Sequence, residues 1–141
     1  MRLWHKDLIP YLPRQQLLGQ WRECCAIAKS IHEKGTPNHV LVNKIMDYPI
    51  EHFWFYCGHV QAGMIRRGYK CNEMKCFQHF DETKIKIKDV PDTSDMFENW
   101  HNAQYAKQCY YNLQEKHDCG AISDMEWNTF EQGYLKEGYK I

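Results

Sequence analysis

The chain has 141 residues, of which 43% are hydrophobic and 26% charged, and its formal net charge is zero. This length fits one domain with its own core, and the composition excludes a disordered chain, a collagen and a coiled coil. No apolar run approaches the roughly 18 residues that cross a membrane, and the early Asp7 argues against a signal peptide. The seven cysteines, an odd number, then favour reduced thiols and a cytoplasmic protein.

The zero net charge hides an asymmetry between two parts of the chain. Residues 1–80 hold eleven Lys and Arg against six Asp and Glu, whereas residues 81–141 hold seven Lys against twelve Asp and Glu. A basic first part favours a polyanionic partner for that part of the surface. The alternative is a neutral surface on which the two sets of charges mix once the chain folds.

The first half of the chain predicts two long helices. One runs from Pro13 to about residue 33, with an apolar stripe at helical spacing that Gly35 ends. Pro49 opens the second, which ends at Gly68 after two arginines. Between them Thr36 predicts the cap of a short helix that reaches about Met46. The apolar positions are Leu17, Leu18, Trp21, Cys24, Cys25, Ala28 and Ile31 on the first helix, and Ile50, Phe53, Trp54, Cys57, Met64 and Ile65 on the second.

The second half predicts one more long helix. Alternation over residues 84–88 indicates a short strand or an extended loop, and Ser94 caps a helix over about 95–117. A capping box at Ser123 predicts a short last helix over 124–132, followed by a loose tail. We therefore expect an all-α protein, with residues 1–141 forming a compact single domain of three main helices plus short helices.

The five tryptophans divide into two groups by position. Helical spacing predicts that Trp21, Trp54 and Trp100 lie in the core. Trp4 and Trp127 are the two whose positions allow a contact with a ligand, because an aromatic ring beside basic residues can stack on bases.

Metal binding has only a weak sequence signal. Cys71, Cys76 and His79 fall in an irregular stretch where ligands could converge, but no paired Cys-x-x-Cys framework is present. Scattered residues are the favoured interpretation, so we predict no metal and no cofactor.

One face of the first helix carries polar residues that could do chemistry. Gln16, Gly19, Gln20 and Glu23 are neighbours at helical spacing, so a carboxylate beside small and amide side chains could line the floor of a cleft. On spacing alone the simpler interpretation is favoured, in which Glu23 is a solvated charge paired with a Lys or Arg.

Short motifs in order along the chain resemble the pyrimidine-dimer DNA glycosylases of the phage endonuclease V type and their bacterial relatives. The motifs are Met1-Arg2-Leu3-Trp4, Gln15 to Glu23, Asn38-His39-Val40, Arg66-Arg67-Gly68-Tyr69, and His101 with the polar helix to Lys116 and then Trp127. Each motif is weak alone, and their order and spacing across nearly the whole chain make the resemblance specific.

The resemblance implies an endonuclease V-like bundle and an enzyme that removes one base of a pyrimidine dimer in damaged double-stranded DNA and then cuts the abasic strand. The ordinary pKa of an α-amino group lies well below that of lysine, so a terminal amine can attack the sugar C1′ at neutral pH. The catalytic groups would be the amine of Met1, or of Arg2 if Met1 is removed, with Glu23 as the carboxylate. Arg2, Gln15, Arg22 and Trp127 would contact DNA. No metal, no membrane and no obligatory protein partner is implied.

Two residues depart from the family pattern. Arg2 is too bulky for ready removal of Met1, and Ala26 stands where the phage-type helix has an arginine that faces DNA. These departures keep two alternatives open: a DNA-binding module of the same fold without lyase activity, and a protein-interaction domain or small metal site.

Overall fold

The computed structural model describes residues 1–141 and is entirely helical, which confirms the all-α prediction. The five α-helices are α1 (Arg14–Lys34), α2 (Ile50–Arg66), α3 (Met74–Phe77), α4 (Ala103–Asp118) and α5 (Asp124–Lys136). Four short 3-10 helices span Lys6–Tyr11, Asn43–Asp47, Glu82–Lys84 and Ile87–Asp89. None of these helices is both long and apolar enough to cross a membrane.

Helices α1 and α2 form the centre of the fold, close to the predicted positions. Pro13 precedes α1, and Gly35 ends it in the left-handed conformation at φ 75°. Gly68 follows α2 with φ 74°, a conformation that glycine adopts without steric cost. The two helices pack against each other, and α3 packs on α1. Local sequence signals were sufficient here because each helix has strong punctuation at both ends.

The buried face of α2 differs from the prediction. Tyr56 and Val60 are fully buried, whereas Trp54 is half-buried and Ile65 is 59% exposed. The predicted stripe was therefore rotated around the helix. Tyr56 is buried because its hydroxyl finds a backbone acceptor at 2.6 Å, in the carbonyl of Trp4.

The third long helix begins eight residues later than predicted. Residues 95–102 form turns and bends, and Phe97 and Asn99 there adopt left-handed backbone angles that an α-helix excludes. Ser94 is not the cap. Asn102 caps α4 instead, because its side-chain oxygen accepts a hydrogen bond from the Tyr105 N–H at 2.9 Å.

Two short predicted elements are absent from the structure, and one short helix was not predicted. Residues 36–46 do not form the predicted helix; a 3-10 helix begins only at Asn43. Residues 84–88 form no strand and lie across two 3-10 turns, and α3 was not predicted at all. These segments are short, so tertiary packing outweighs their local preferences.

Ser123 caps α5 as predicted, accepting from the Glu126 N–H at 3.2 Å, but the helix continues past residue 132 to Lys136. Gly133 does not end it, because the absence of a side chain there lets the Tyr11 ring pack against the helix. The tail is not loose: the Tyr139 hydroxyl donates to the Asp7 carboxylate at 2.6 Å.

Candidate active site at the chain start

The first residues of the chain lie against the helices and are held there by side chains. Leu3 and Trp4 are buried in the core, while Met1 at the end of the chain is 43% exposed. Trp4 is only 7% exposed, so its ring packs in the core and does not offer an open face for stacking on a base. The chain start thus passes from a fixed, buried position to solvent within two residues.

Three helices supply hydrogen bonds to this segment. Gln20 of α1 accepts from the Trp4 N–H at 2.7 Å and donates to the Arg2 carbonyl at 3.0 Å. The hydroxyl of Tyr56 on α2 donates to the Trp4 carbonyl, and that of Tyr105 on α4 donates to the Leu3 carbonyl, both at 2.6 Å. Gln20 was placed on the correct helix face by spacing. The two tyrosines carried no local signal that related them to the chain start.

Glu23 lies beside the same segment. Its Oε2 is 3.4 Å from the backbone nitrogen of Arg2, which donates to it. The molecule's salt bridges do not include Glu23, so the interpretation of Glu23 as half of a surface ion pair is wrong. The expected open cleft is not formed at Gln20, which is only 1% exposed beneath the chain start. A half-buried carboxylate without a cationic partner remains beside residue 2.

The predicted DNA-contacting residues lie in different settings. Gln15 and Arg22 are exposed on α1, and the Arg22 guanidinium folds back near Gly19. Arg2 is half-buried, with its guanidinium 5.2 Å from the centre of the Trp4 ring. Arg22 therefore precedes Glu23 on α1, and Arg2 lies beside Glu23 at the chain start.

Trp127 belongs to α5, and its ring packs against α4. Its ring stacks on His117 at an interplanar angle of 11° and also contacts Tyr110 and Phe130. These ring contacts do not include Arg2, Arg22 or Glu23. A contact of Trp127 with DNA stays a prediction.

Two buried histidines lie behind the chain start. The rings of His5 and His101 are 5.2 Å apart, and the Lys6 N–H donates to Nδ1 of His101 at 2.9 Å. The proton of neutral His101 is then on Nε2, which is buried without a partner. Burial is the main reason that the pKa of His5 falls to about 4 and that of His101 falls well below its usual range.

The lowered pKa values of these histidines lead us to expect a loss of stability in mild acid. A lowered pKa in the fold means that the unfolded chain binds more protons, so stability is complete above about pH 6.5 and falls as the pH drops toward 4. Lowering the pH from 7.5 to 5 should cost about 2 kcal/mol through His5 alone. Urea unfolding at both pH values measures the change. His5→Gln should flatten this dependence, and an unchanged slope in that variant would contradict the assignment.

The cysteine and histidine side chains do not assemble a metal site. No group of three or more His, Cys, Asp or Glu side chains could hold a metal ion, so Cys71, Cys76 and His79 form no such site. All seven cysteines are free thiols. Cys24 is fully buried in the core, as predicted, and burial raises the pKa of its thiol.

The first half of the chain matches a known protein family. A family model matches residues 1–76, which include the whole segment from the chain start through Glu23 to α3, and its description is pyrimidine dimer DNA glycosylase. The match defines an enzyme of the DNA glycosylase class, one that acts in DNA repair. The chain belongs to the pyrimidine dimer DNA glycosylase family. No curated protein and no solved structure matches it.

Proposed function

We propose that this glycosylase removes one base of a pyrimidine dimer in double-stranded DNA and then cleaves the abasic strand, using a terminal amine and Glu23. The observation that carries the proposal is the contact between the Glu23 carboxylate and the backbone nitrogen of Arg2, at 3.4 Å. The start of the chain and an unpaired carboxylate are thereby neighbours at a partly exposed surface. The family match covers residues 1–76, so it includes Met1, Arg2 and Glu23 of the proposed site.

The chemistry divides into two steps. The unprotonated amine attacks the sugar C1′, the bond from C1′ to the base breaks, and the base leaves with the bonding electrons and gains a proton. Loss of the amine proton and opening of the sugar ring give an imine at C1′. A base then removes a C2′ proton, and the bond from C3′ to the phosphate oxygen breaks. Glu23 accepts and returns these protons and stabilises the cationic sugar, a role that needs no metal.

Two amines could serve, and the geometry gives them different relations to Glu23. In the chain with Met1, the Arg2 nitrogen beside Glu23 is a peptide nitrogen, and the amine lies one residue farther out. If Met1 is removed, the nitrogen beside Glu23 becomes the amine. Met1 is exposed, and its amine forms no ion pair with Glu23 that an incoming sugar would have to break.

The DNA contacts follow from charge and exposure. Arg22 is exposed one position before Glu23, Gln15 is exposed earlier on the same helix, and Arg2 lies beside Glu23 at the chain start. All three residues fall within the matched range 1–76. Cationic side chains position the phosphate backbone without reading sequence. A dimer stacks poorly, which lowers the cost of extruding a nucleotide toward the amine. The absence of an arginine at Ala26 removes one possible phosphate contact and should make binding weaker.

The proposal predicts a covalent intermediate at the chain start. Borohydride added during reaction with a duplex that holds one abasic site, in EDTA and low salt, should trap the protein on DNA. Mass mapping of the cross-linked peptide should place the bond on the amine of Met1 or Arg2. A protein with an acetylated N-terminus is the control, and it should bind the duplex without being trapped.

Other outcomes would contradict the proposal in distinct ways. A cross-link on a lysine side chain, or equal trapping of the acetylated protein, would rule out the terminal amine as nucleophile. Binding of the duplex without trapping or cleavage would favour a DNA-binding module of the same fold. A second duplex with a single thymine dimer tests whether the base is removed from that lesion.

A further inference from the structure

The side chain of Gln20 is buried in an unusual environment for a primary amide. It is 1% exposed, and its partners are the backbone of residues 2 and 4 and the hydroxyl of Tyr56, whose oxygen lies 3.0 Å from Gln20 Oε1. An amide buried without such partners would be strongly disfavoured. Gln20 therefore keeps these hydrogen bonds only while the chain start stays in place, and the chain start would lose two hydrogen bonds without Gln20.

Gln20 and Glu23 hold the two sides of one residue. They lie three residues apart on α1 and so share a helix face. Glu23 accepts from the nitrogen of Arg2, and Gln20 donates to the carbonyl oxygen of Arg2. Both ends of this residue are thus fixed against the helix that carries the proposed catalytic carboxylate.

The next two residues are held in the same way by other helices. Three consecutive backbone carbonyls, those of residues 2, 3 and 4, each accept a hydrogen bond from the side chain of a different helix. The donors are Gln20 on α1, Tyr105 on α4 and Tyr56 on α2. We call these three side chains the carbonyl clamp. Tyr56 is fully buried, and Tyr105 packs beside the His101 ring, so neither hydroxyl moves freely.

We propose that the carbonyl clamp is a positioning device for the reaction: it fixes the chain start so that the terminal amine and Glu23 meet the sugar C1′ in one arrangement. The inference rests on the proposed function. It adds three positioning residues, which act by holding the chain start and do not touch the substrate. A flexible chain start would sample many orientations, and a displacement of about 1 Å can cost about 100-fold in rate. Loss of one clamp bond should therefore slow the chemical step more than it weakens DNA binding.

The test compares variants of the clamp with a matched tyrosine elsewhere. Gln20→Met keeps the size of the side chain and removes its hydrogen bonds, and Tyr105→Phe removes a single hydroxyl. Tyr134→Phe is the control, since that buried hydroxyl also donates to a backbone carbonyl, that of Lys140, but in the C-terminal tail. Each protein is assayed for the single-turnover rate of borohydride trapping, for the concentration that gives half the maximal rate, and for thermal stability.

We expect Gln20→Met and Tyr105→Phe to lower the maximal trapping rate about 10- to 100-fold, with the half-saturating concentration changed less than about twofold. Tyr134→Phe should trap at the wild-type rate. The Trp4 N–H donates a hydrogen bond to Gln20. Hydrogen exchange of this amide should therefore be faster in Gln20→Met and unchanged in Tyr134→Phe. This exchange measurement reports on position independently of the chemistry.

The possible failures are distinguishable. Wild-type trapping rates in both folded clamp variants would overturn the positioning role alone, as would an equal loss in Tyr134→Phe. If Gln20→Met does not fold, Tyr105→Phe decides between these results. Failure of the wild-type protein to be trapped through its terminal amine would instead overturn the proposed function and the clamp's part in it.

Discussion

Replacing Glu23 by glutamine should lower the rate of strand cleavage at an abasic site by about 10²- to 10⁴-fold, the range that a positioned acid or base contributes. Glutamine has the same size and can still accept from the Arg2 nitrogen, so the chain start should stay in place. DNA binding should be retained or become tighter, because the substitution removes a negative charge near phosphates. Single-turnover cleavage and binding of a non-cleavable abasic duplex measure the two effects separately.

The matched control for this variant is Glu33→Gln. Glu33 is an exposed glutamate near the end of the same helix, far along it from the chain start. Its replacement changes the net charge by the same amount as Glu23→Gln. It should cleave at the wild-type rate. Cleavage by Glu23→Gln at that rate would remove Glu23 from the mechanism, and loss of cleavage together with loss of binding would point to a folding defect.

Replacing Gly133 by alanine should have the largest effect on stability. A Cβ at this position would lie well inside van der Waals contact with Cγ, Cδ1 and Cδ2 of the Tyr11 ring. These atoms are at the base of the ring, next to the Tyr11 backbone, so a rotation of the side chain would not remove the clash. We expect a loss of about 1–3 kcal/mol, the usual cost of overpacking, measured by urea or thermal unfolding.

Gly58 provides a control with the opposite expected sign. It also lies within a helix, but a Cβ there would meet nothing within 4 Å. Gly58→Ala should leave stability unchanged or raise it by up to about 1 kcal/mol through better helix propensity. The Tyr11→Ala variant, combined with Gly133→Ala, should lose less than the sum of the two single changes, because the clash is then absent. Simple additivity would contradict the packing explanation.

The site depends on how the chain start is anchored. Leu3 and Trp4 lie in the core, and the Tyr139 hydroxyl of the tail donates a hydrogen bond to Asp7. Segments near both ends of the chain are therefore held in the same helical fold. An amine at the end of an ordinary, frayed terminus would pay a large entropic cost to reach one orientation. Here the fold already orders residues 2–4, so only Met1 beyond them would have to be positioned.

The sequence by itself determined the helical class, the positions of α1 and α2, and the family. Pro13, Gly35, Pro49 and Gly68 punctuate these helices through local backbone preferences, which act within a few residues. The same local spacing placed Gln20 and Glu23 on one face of α1. It could not determine whether that face was open, because the covering residues 2–4 lie about 20 positions away in the chain.

Only the tertiary structure decided the start of α4, the length of α5 and the carbonyl clamp. The left-handed turn at Phe97 exists because its ring packs among His52, Tyr56 and His101, and Gly133 stays helical because Tyr11 fills the space beside it. Tyr56 and Tyr105 meet the chain start across 52 and 102 residues of sequence. Periodicity and capping describe neighbours along the chain, whereas these contacts depend on how separate helices pack against one another.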